Sequence, residues 1–560
     1  MHEFTKSQEL IWLGERLYPG SPMNNMAFAF WLGKELDVPR FQAAFRNLLK
    51  ACDAMRVIFT GSSDAWQSTL SRQRFSLEMI ETDAMEWMAA AVKKPLNVAE
   101  RVFEAALLHD EAGYYLYLNQ HHLVTDGWGM ANQLKWLLAA YRGTSPPKLP
   151  PFEQYVYYAS AEKELERTEE QREAWRQRVA DYPTPPALFG RTNATRNTAS
   201  TRITRRLSSG QTARLRALAG QPDFRAWTTD LALFNLYLTA LYAYVYRISG
   251  QRDLVISTPA HNRVTAEQKA TPGLFMELFP VRATVAADDT FRSLHEKVCV
   301  ASLDFLRYAR SGTSSVETGR SFNVLLNYLN VAFVEEPDPN FGVEWLHPGE
   351  TEPGHHLKLQ VYDFAVTGQP TLCFDLNDAV VPAAVRSLVV DGFLGLLDQM
   401  LANMDAPVVA LTQREQTILA SFQAVDPTYP TGKTVVDLFQ EQAARNPTAP
   451  AVHFCDLTLS YVELDVRTDA FAGALQEHDV RVGDVVPVRL ERSEKMLIAL
   501  LGILKAGAAY LPIDPEFPPE RQAFLGADAG ARVMVVEGLE LVSLTEKPSA
   551  TRQQPELGDA

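Results

Sequence analysis

Two adjacent histidines, His121 and His122, stand just before Asp126, with Gly127 and Gly129 after it, in the string YLNQHHLVTDGWGMANQLKWL (residues 117–137). No serine or cysteine nearby is placed like an attacking nucleophile. The chemistry on offer is therefore proton handling by an imidazole, not formation of a covalent protein ester. Side chains alternate along a strand, so His121 and His122 face opposite ways and cannot serve one ligand. No third ligand at a recognised spacing accompanies them, and no metal site is expected. One histidine faces a reaction channel while its neighbour packs behind. Asp126 turns inward to fix the loop, and Gly127 leaves room for a substrate or a tight turn. Such a site suits direct transfer between two bound substrates. If the acyl group arrives already activated as a thioester, no enzyme ester is needed, and the second substrate can bring the attacking amine or hydroxyl. One imidazole, with a free pKa of roughly 6.5, accepts or positions the proton. A bland alternative is two ordinary strand residues followed by a helix N-cap at Asp126. A bare H-x-x-x-D recurs by chance. The longer H-H-x-x-x-D-G-x-G is much harder to obtain by accident.

The elements that must position these groups are legible in the periodicity. SQELIWLGERLYP (7–19) and FQAAFRNLLKAC (41–52) carry helical apolar spacing, and MRVIF (55–59) reads as a short strand. RVFEAALLHDEAGYYLYLNQHH (101–122) reads as a hairpin turning at Asp110, Ala112 and Gly113. After Gly129, an apolar stripe at Met130, Leu134, Leu137, Leu138 and Tyr141 predicts a helix. A long charged helix is expected at 160–179, helix at 228–250, the strand DLVISTPA, and a last helix ending near 401. Two lobes, 1–178 and 179–410, mix helices and strands in comparable amounts and could be distant structural copies; a linker, 411–433, and a further segment, 434–560, follow.

At 560 residues the chain is too long for one core and suggests roughly three to four domains. Net charge is −15 with the two signs interspersed and no basic stripe, which argues against nucleic-acid binding. Cys52, Cys299, Cys373 and Cys455 are far apart and form no CxxC pair, so reduced thiols are expected. No secretory pattern opens the chain. The most apolar window, MLIALLGILKAGAAYLPI, is interrupted by Lys505, two glycines and Pro512, and reads as a buried helix running into a strand. A cytoplasmic protein that meets neither nucleic acid nor membrane is the expectation.

The string HHLVTDGWG resembles the core motif of condensation domains of nonribosomal peptide synthetases, relatives of chloramphenicol acetyltransferase. SQELIWLGERL looks like the family's opening helix, MRVIF like its M-R-T-x-F segment, and TPAHNR followed by GLFMELFPVR like its G-x-F-x-N-x-x-P-x-R segment, together covering about 1–410. The resemblance implies an α/β fold of two chloramphenicol-acetyltransferase-like lobes in a V-shaped pseudo-dimer. It also implies amide formation between a donor acyl thioester and an aminoacyl thioester on phosphopantetheine arms, with no cofactor bound by the chain itself. By carry-over His122 is the catalytic histidine. His121, Asp126, Gly127 and Arg56 support it, Asp126 being paired with Arg56, since a lone buried carboxylate is costly. Trp128, Gly129, Asn327 and Asn330 are assigned to the substrate channel, although Trp128 is expected to pack rather than react. The second pair, His355–His356, follows Pro353–Gly354 and is expected in a surface loop. The family's later His-, Gln-, Tyr- and Pro-rich motif is not evident. Heterocyclisation relatives carry aspartates at the histidine pair, and epimerisation relatives normally follow a carrier domain, so neither subclass is expected.

The motif set begins within ten residues of Met1, so the donor is expected from elsewhere: an acyl-CoA, as in starter domains, or a carrier on another protein. The acceptor partner is a downstream peptidyl carrier. Residues 434–560 resemble the front of an α/β adenylation domain through LTLSYVELD (457–465) and LKAGAAYLPIDP (504–515). The phosphate loop and the later carboxylate and lysine motifs are missing, so productive ATP binding is not expected. Two competing functions share these residues: a non-catalytic platform for partner proteins, and an acyltransferase onto a free amine or alcohol.

Overall fold

A computed structural model describes residues 2–62, 65–70, 75–163, 166–190, 196–310, 312–423 and 431–544. The chain forms two compact units, Met1–Phe422 and Gln423–Ala560.

Beside a small three-stranded sheet ordered His2–Glu3, Ala65–Leu70, Val57–Ser62, the first unit contains two larger sheets, each with its own core. The first sheet has the strand order Gly342–Leu346, Asn25–Trp31, Gly113–His121, Phe103–Asp110, Met79–Glu81. Its central hairpin pairs Asp110 with Gly113, and the neighbouring strand pairs Asn25 with His121. Gly113 turns at φ 129°, and an added Cβ would strike the carbonyl of Gly33, so only glycine closes this turn. The opening helix Lys6–Leu17 starts at a Thr5/Gln8 capping box. The motif helix Gly127–Arg142 starts at Asp126 and ends at Gly143 in the left-handed region.

The second sheet runs Glu277–Thr284, Asp253–Ala260, Val324–Leu329, Leu357–Tyr362, Thr371–Asn377, Ser200–Arg206. One face of it (Leu254, Ile256, Val324, Leu326, Leu359, Phe374) packs on helices that include Thr229–Ser249. Among the described residues that helix alone is long and apolar enough to cross a membrane, and it lies inside this core.

The division at 178/179 does not hold. It cuts the helix Glu166–Ala180, whose Trp175 is buried in the second core and donates Nε1–H to the Tyr308 carbonyl at 3.1 Å. In return, Gly342–Leu346 supplies a strand to the first sheet, and Leu274, Phe275, Phe333 and Phe364 supply side chains to the first core. The charged segment is helical over Phe152–Lys163 and Glu166–Ala180. The expected linker is not all linker: Gln413–Gln423 is a helix of the first unit, anchored by Arg247 on Glu415. Residues 424–430 and the polar tail 551–560 lie outside the described residues.

The second unit has a four-stranded sheet ordered Ala509–Pro512, Val485–Val488, Val533–Val536, Glu540–Ser543, beside the hairpin Pro450–Phe454/Leu457–Ser460. The apolar window reads out as the helix Glu494–Lys505 followed by the strand Ala509–Pro512.

Candidate active site

The hairpin ends at His121, and the chain turns within five residues into the motif helix, so the histidine pair sits where strand pleat gives way to a helix start. His121 is buried; its Nε2 meets Glu15 Oε1 at 3.1 Å and its Nδ1 accepts the Leu123 N–H at 3.2 Å. Burial raises the Glu15 carboxyl, but the hydrogen bond and charge of His121 outweigh it and hold Glu15 below its ordinary value. His122 points the other way. It lines a cavity of about 460 Å³, and its Nδ1 has no hydrogen-bond partner among the described residues. Burial lowers its pKa, against the opposing pull of Asp126, so the ring is neutral near pH 7 and has a nitrogen free to accept a proton.

Asp126 caps the motif helix by accepting the Gly129 N–H at 2.9 Å. Its charge is matched by Arg263, which donates Nη2–H to Oδ1 at 2.8 Å and Nε–H to Oδ2 at 3.2 Å, while the Phe275 N–H also donates to Oδ2 at 3.2 Å. Arg263 is itself saturated: it donates to the carbonyls of Thr271 at 2.7 Å and Gly273 at 3.0 Å and lies 4.2 Å from the Phe275 ring centre. This buried pair joins the histidine motif to the HNR segment 137 residues further on.

The expected Asp126–Arg56 pair is thereby corrected. Arg56 lies in a single 3-10 turn, Asp53–Arg56, and pairs with Asp53 in that same turn. A partner three residues away in the same turn costs far less chain ordering than one across the fold.

The other assigned residues separate. Gly127 makes room for protein, because an added Cβ would meet Leu329 Cδ2 at 3.2 Å. Gly129 lets the helix start pack closely, since a Cβ there would lie 2.6 Å from Thr125 Oγ1. Trp128 packs on the first core. Neither Trp128 nor Gly129 lines the His122 cavity, which corrects their assignment to a channel; both belong to the helix's first turn, which faces the core. Asn327 does line that cavity, but Asn330 does not. Asn330 donates to Asp230 at 3.4 Å beside a second cavity of about 770 Å³, which also holds His261 and Tyr328 and shares Pro259 with the first. Burial lowers the pKa of His261 as well.

The second histidine pair is not in a surface loop. His355 is 7% exposed and His356 fully buried, and His355 lines the His122 cavity. It stacks on Phe322 with ring centres 5.5 Å apart, and its Nδ1 contacts Glu352. Burial pushes the Glu352 carboxyl up, but Lys358 at 3.0 Å and His355 together hold it well below the carboxylate range. Sequence reasoning also missed Glu277, a buried carboxylate that accepts from Ser7 Oγ at 2.9 Å, the Gly312 N–H at 2.5 Å and the Ser314 N–H at 3.1 Å. The available signal was a charge at the Asn position of the G-x-F-x-N pattern, between Phe275 and Pro280. Among the described residues no group of three or more His, Cys, Asp or Glu side chains could hold a metal ion.

Comparison with known proteins identifies the family. The Condensation domain family matches residues 1–412, and the AMP-binding enzyme family matches residues 439–559. A linear gramicidin synthase of Brevibacillus parabrevis is 27% identical over 579 residues, covering 95% of this chain and 7% of that protein. Surfactin synthase subunit 1 of Bacillus subtilis is 25% identical, with 96% and 16% covered, so the chain spans a small fraction of these relatives. Among solved structures, the starter condensation domain of rhizomide synthetase, a mutant in complex with C8-CoA, superposes with a TM-score of 0.64 at 21% identity, covering 73% of this chain and 97% of that one. Two α/β sheets, a histidine pair at a strand-to-helix junction and a match over residues 1–412 lead to one assignment: the chain belongs to the condensation-domain family of nonribosomal peptide synthetases, and the start of an AMP-binding domain follows.

Proposed function

We propose that this chain joins a donor acyl thioester to the amine of an aminoacyl thioester carried on phosphopantetheine, with His122 taking or orienting the proton of the attacking amine. The observation that carries the reading is a neutral imidazole in a cavity wall, its Nδ1 without a partner among the described residues. The step balances without further reagents. The amine nitrogen attacks the thioester carbon, the C–S bond breaks, and the amine proton passes through the imidazole to the departing thiolate. Asp126 and Arg263 act as a brace for the loop that carries His122 and do not meet substrate. An acyl-CoA donor is supported by the fold similarity to a starter domain that binds C8-CoA; an upstream carrier would present the same thioester. The acceptor is a downstream carrier protein.

The test is product formation, followed by mass spectrometry, from acyl-CoA of varied chain length and an aminoacyl carrier. Carrier-bound acyl amide from wild type and none from His122→Ala supports the reading. Equal yields from the two proteins sink it.

A further inference from the structure

A row of polar side chains on the second sheet has no part in the mechanism described so far. Arg202, Asp375, Gln360 and Asn327 come from four neighbouring strands, and all four line the His122 cavity. They occupy the face opposite the apolar core positions Leu326, Leu359 and Phe374, as strand alternation requires. Their hydrogen bonds run in one direction. Arg202 can only donate, and it places Nε–H on Asp375 Oδ1 at 2.6 Å and Nη2–H on Oδ2 at 2.8 Å. The Asp375 carboxylate can only accept, and it takes the Gln360 Nε2–H at 2.6 Å. Gln360 must therefore turn its oxygen to Asn327, which donates Nδ2–H to it at 3.2 Å. That leaves Asn327 Oδ1 buried and, among the described residues, without a hydrogen-bond partner. A fixed guanidinium thus sets the orientation of two amides, and the last one, on a residue that lines the cavity, keeps a buried oxygen with no partner among the described residues.

We infer that Asn327 Oδ1 is a fixed hydrogen-bond acceptor for an N–H of the incoming amine, and that Arg202, Asp375 and Gln360 are positioning residues that keep its amide turned this way. The inference rests on the amide-forming reading above. Thioester carbonyls and sulfur only accept, so the lone acceptor disfavours them and selects the N–H donors of the reaction. These are the amine and the pantetheine amides. Two ligands separate these sources: alanyl-aminopantetheine and propionyl-aminopantetheine, both amide-linked and unreactive, which share every pantetheine amide and differ only in the amine.

Binding of both ligands to the full chain is measured by calorimetry. The wild type is expected to prefer the alanyl ligand by about tenfold, the discrimination typical of one hydrogen bond that a site is built to make. Asn327→Leu, with Asn327→Ala as a second variant should leucine prevent folding, should reduce that preference at least about threefold and leave propionyl affinity unchanged. Gln360→Leu should reduce it partway, because the Asn327 amide can then turn and present its NH₂. Equal binding of the two ligands by wild type, or an unchanged preference in the Asn327 variants, overturns the inference. An unchanged preference in Gln360→Leu overturns the positioning row. Failure of wild type to bind either ligand is a different result, because it removes the cavity itself as the condensation site.

Discussion

The chain carries two His-His pairs, and both reach the same cavity: His122 from the first, His355 from the second. In each pair one ring faces the cavity and the other packs behind, His121 on Glu15 and His356 in a buried pocket beside Asn323. The difference lies in what the cavity-facing ring already holds. His355 Nδ1 makes no hydrogen bond among the described residues but lies against the Glu352 carboxylate, and its ring stacks on Phe322. His122 Nδ1 is likewise buried without a hydrogen-bond partner, but among the described residues it has no ion-pair contact, and burial lowers the ring's pKa. Two identical dipeptides lining one cavity therefore have different chemistry, and the presence or absence of a carboxylate within reach decides it.

The largest expected effect follows from that difference. His122→Ala should lower the turnover rate by about 10²- to 10⁴-fold, the usual contribution of a positioned acid–base group, with little change in melting temperature. His355→Ala should do the reverse: rate within a few-fold of wild type, and a lower melting temperature as Glu352 loses one of its two partners. Similar rate losses in both variants would erase the distinction between the pairs.

Next comes the brace behind His122. Asp126→Asn leaves Arg263 buried without its counter-charge, and breaking such a pair typically costs about 3–5 kcal/mol. Thermal unfolding should shift down by many degrees, and the rate should fall with it, whereas Glu352→Gln, which acts on a half-exposed carboxylate, should shift it far less.

Acid should separate the pairs by a smaller margin. A histidine with a depressed folded pKa stays neutral while the unfolded chain takes up a proton, so stability falls as pH drops below roughly 6.5. His122 and His261 contribute in that direction, as do His295 and His347, both lowered to about 4 by burial. His347→Gln should flatten the loss of melting temperature between pH 7 and pH 5. The acid limb of kcat/KM, which reports His122 in the free enzyme, should lie below the ordinary imidazole value; a limb centred above pH 6.5 would contradict the burial of that ring.

The legible parts of the molecule were those fixed by local pattern. The hairpin turn at Gly113, the helix capped by Asp126 and the opposite facing of His121 and His122 all follow from period and turn chemistry within about ten residues. What stayed hidden depended on partners far along the chain. Arg263 reaches Asp126 across 137 residues, and nothing near either residue specifies the other. The strand Gly342–Leu346 pairs with Asn25–Trp31, a choice set by an edge that only the folded sheet presents. Pro353–Gly354 made His355 look exposed, and the Phe322 ring that covers it comes from a segment about 30 residues earlier. Asn327 and Asn330 look equivalent in sequence, but a half-turn of pleat and the end of the strand at Leu329 send them to different cavities.

The smallest expected effect concerns Arg56, and it decides whether the brace behind His122 has one arginine or two. The Arg56–Asp53 pair lies within one turn, with side chains 28% and 22% exposed. Local pairs with partial solvent access contribute about 0.2–1 kcal/mol. Arg56→Ala should therefore lower the melting temperature by only a few degrees and leave the turnover rate within about twofold of wild type. The decisive comparison is a double-mutant cycle with Asp126→Asn. If Arg56 does not touch Asp126, the two stability losses add within about 0.5 kcal/mol. A coupling well above that would show Arg56 acting on Asp126 in solution, and the loop that holds His122 would then be braced from both halves of the first unit instead of through Arg263 alone.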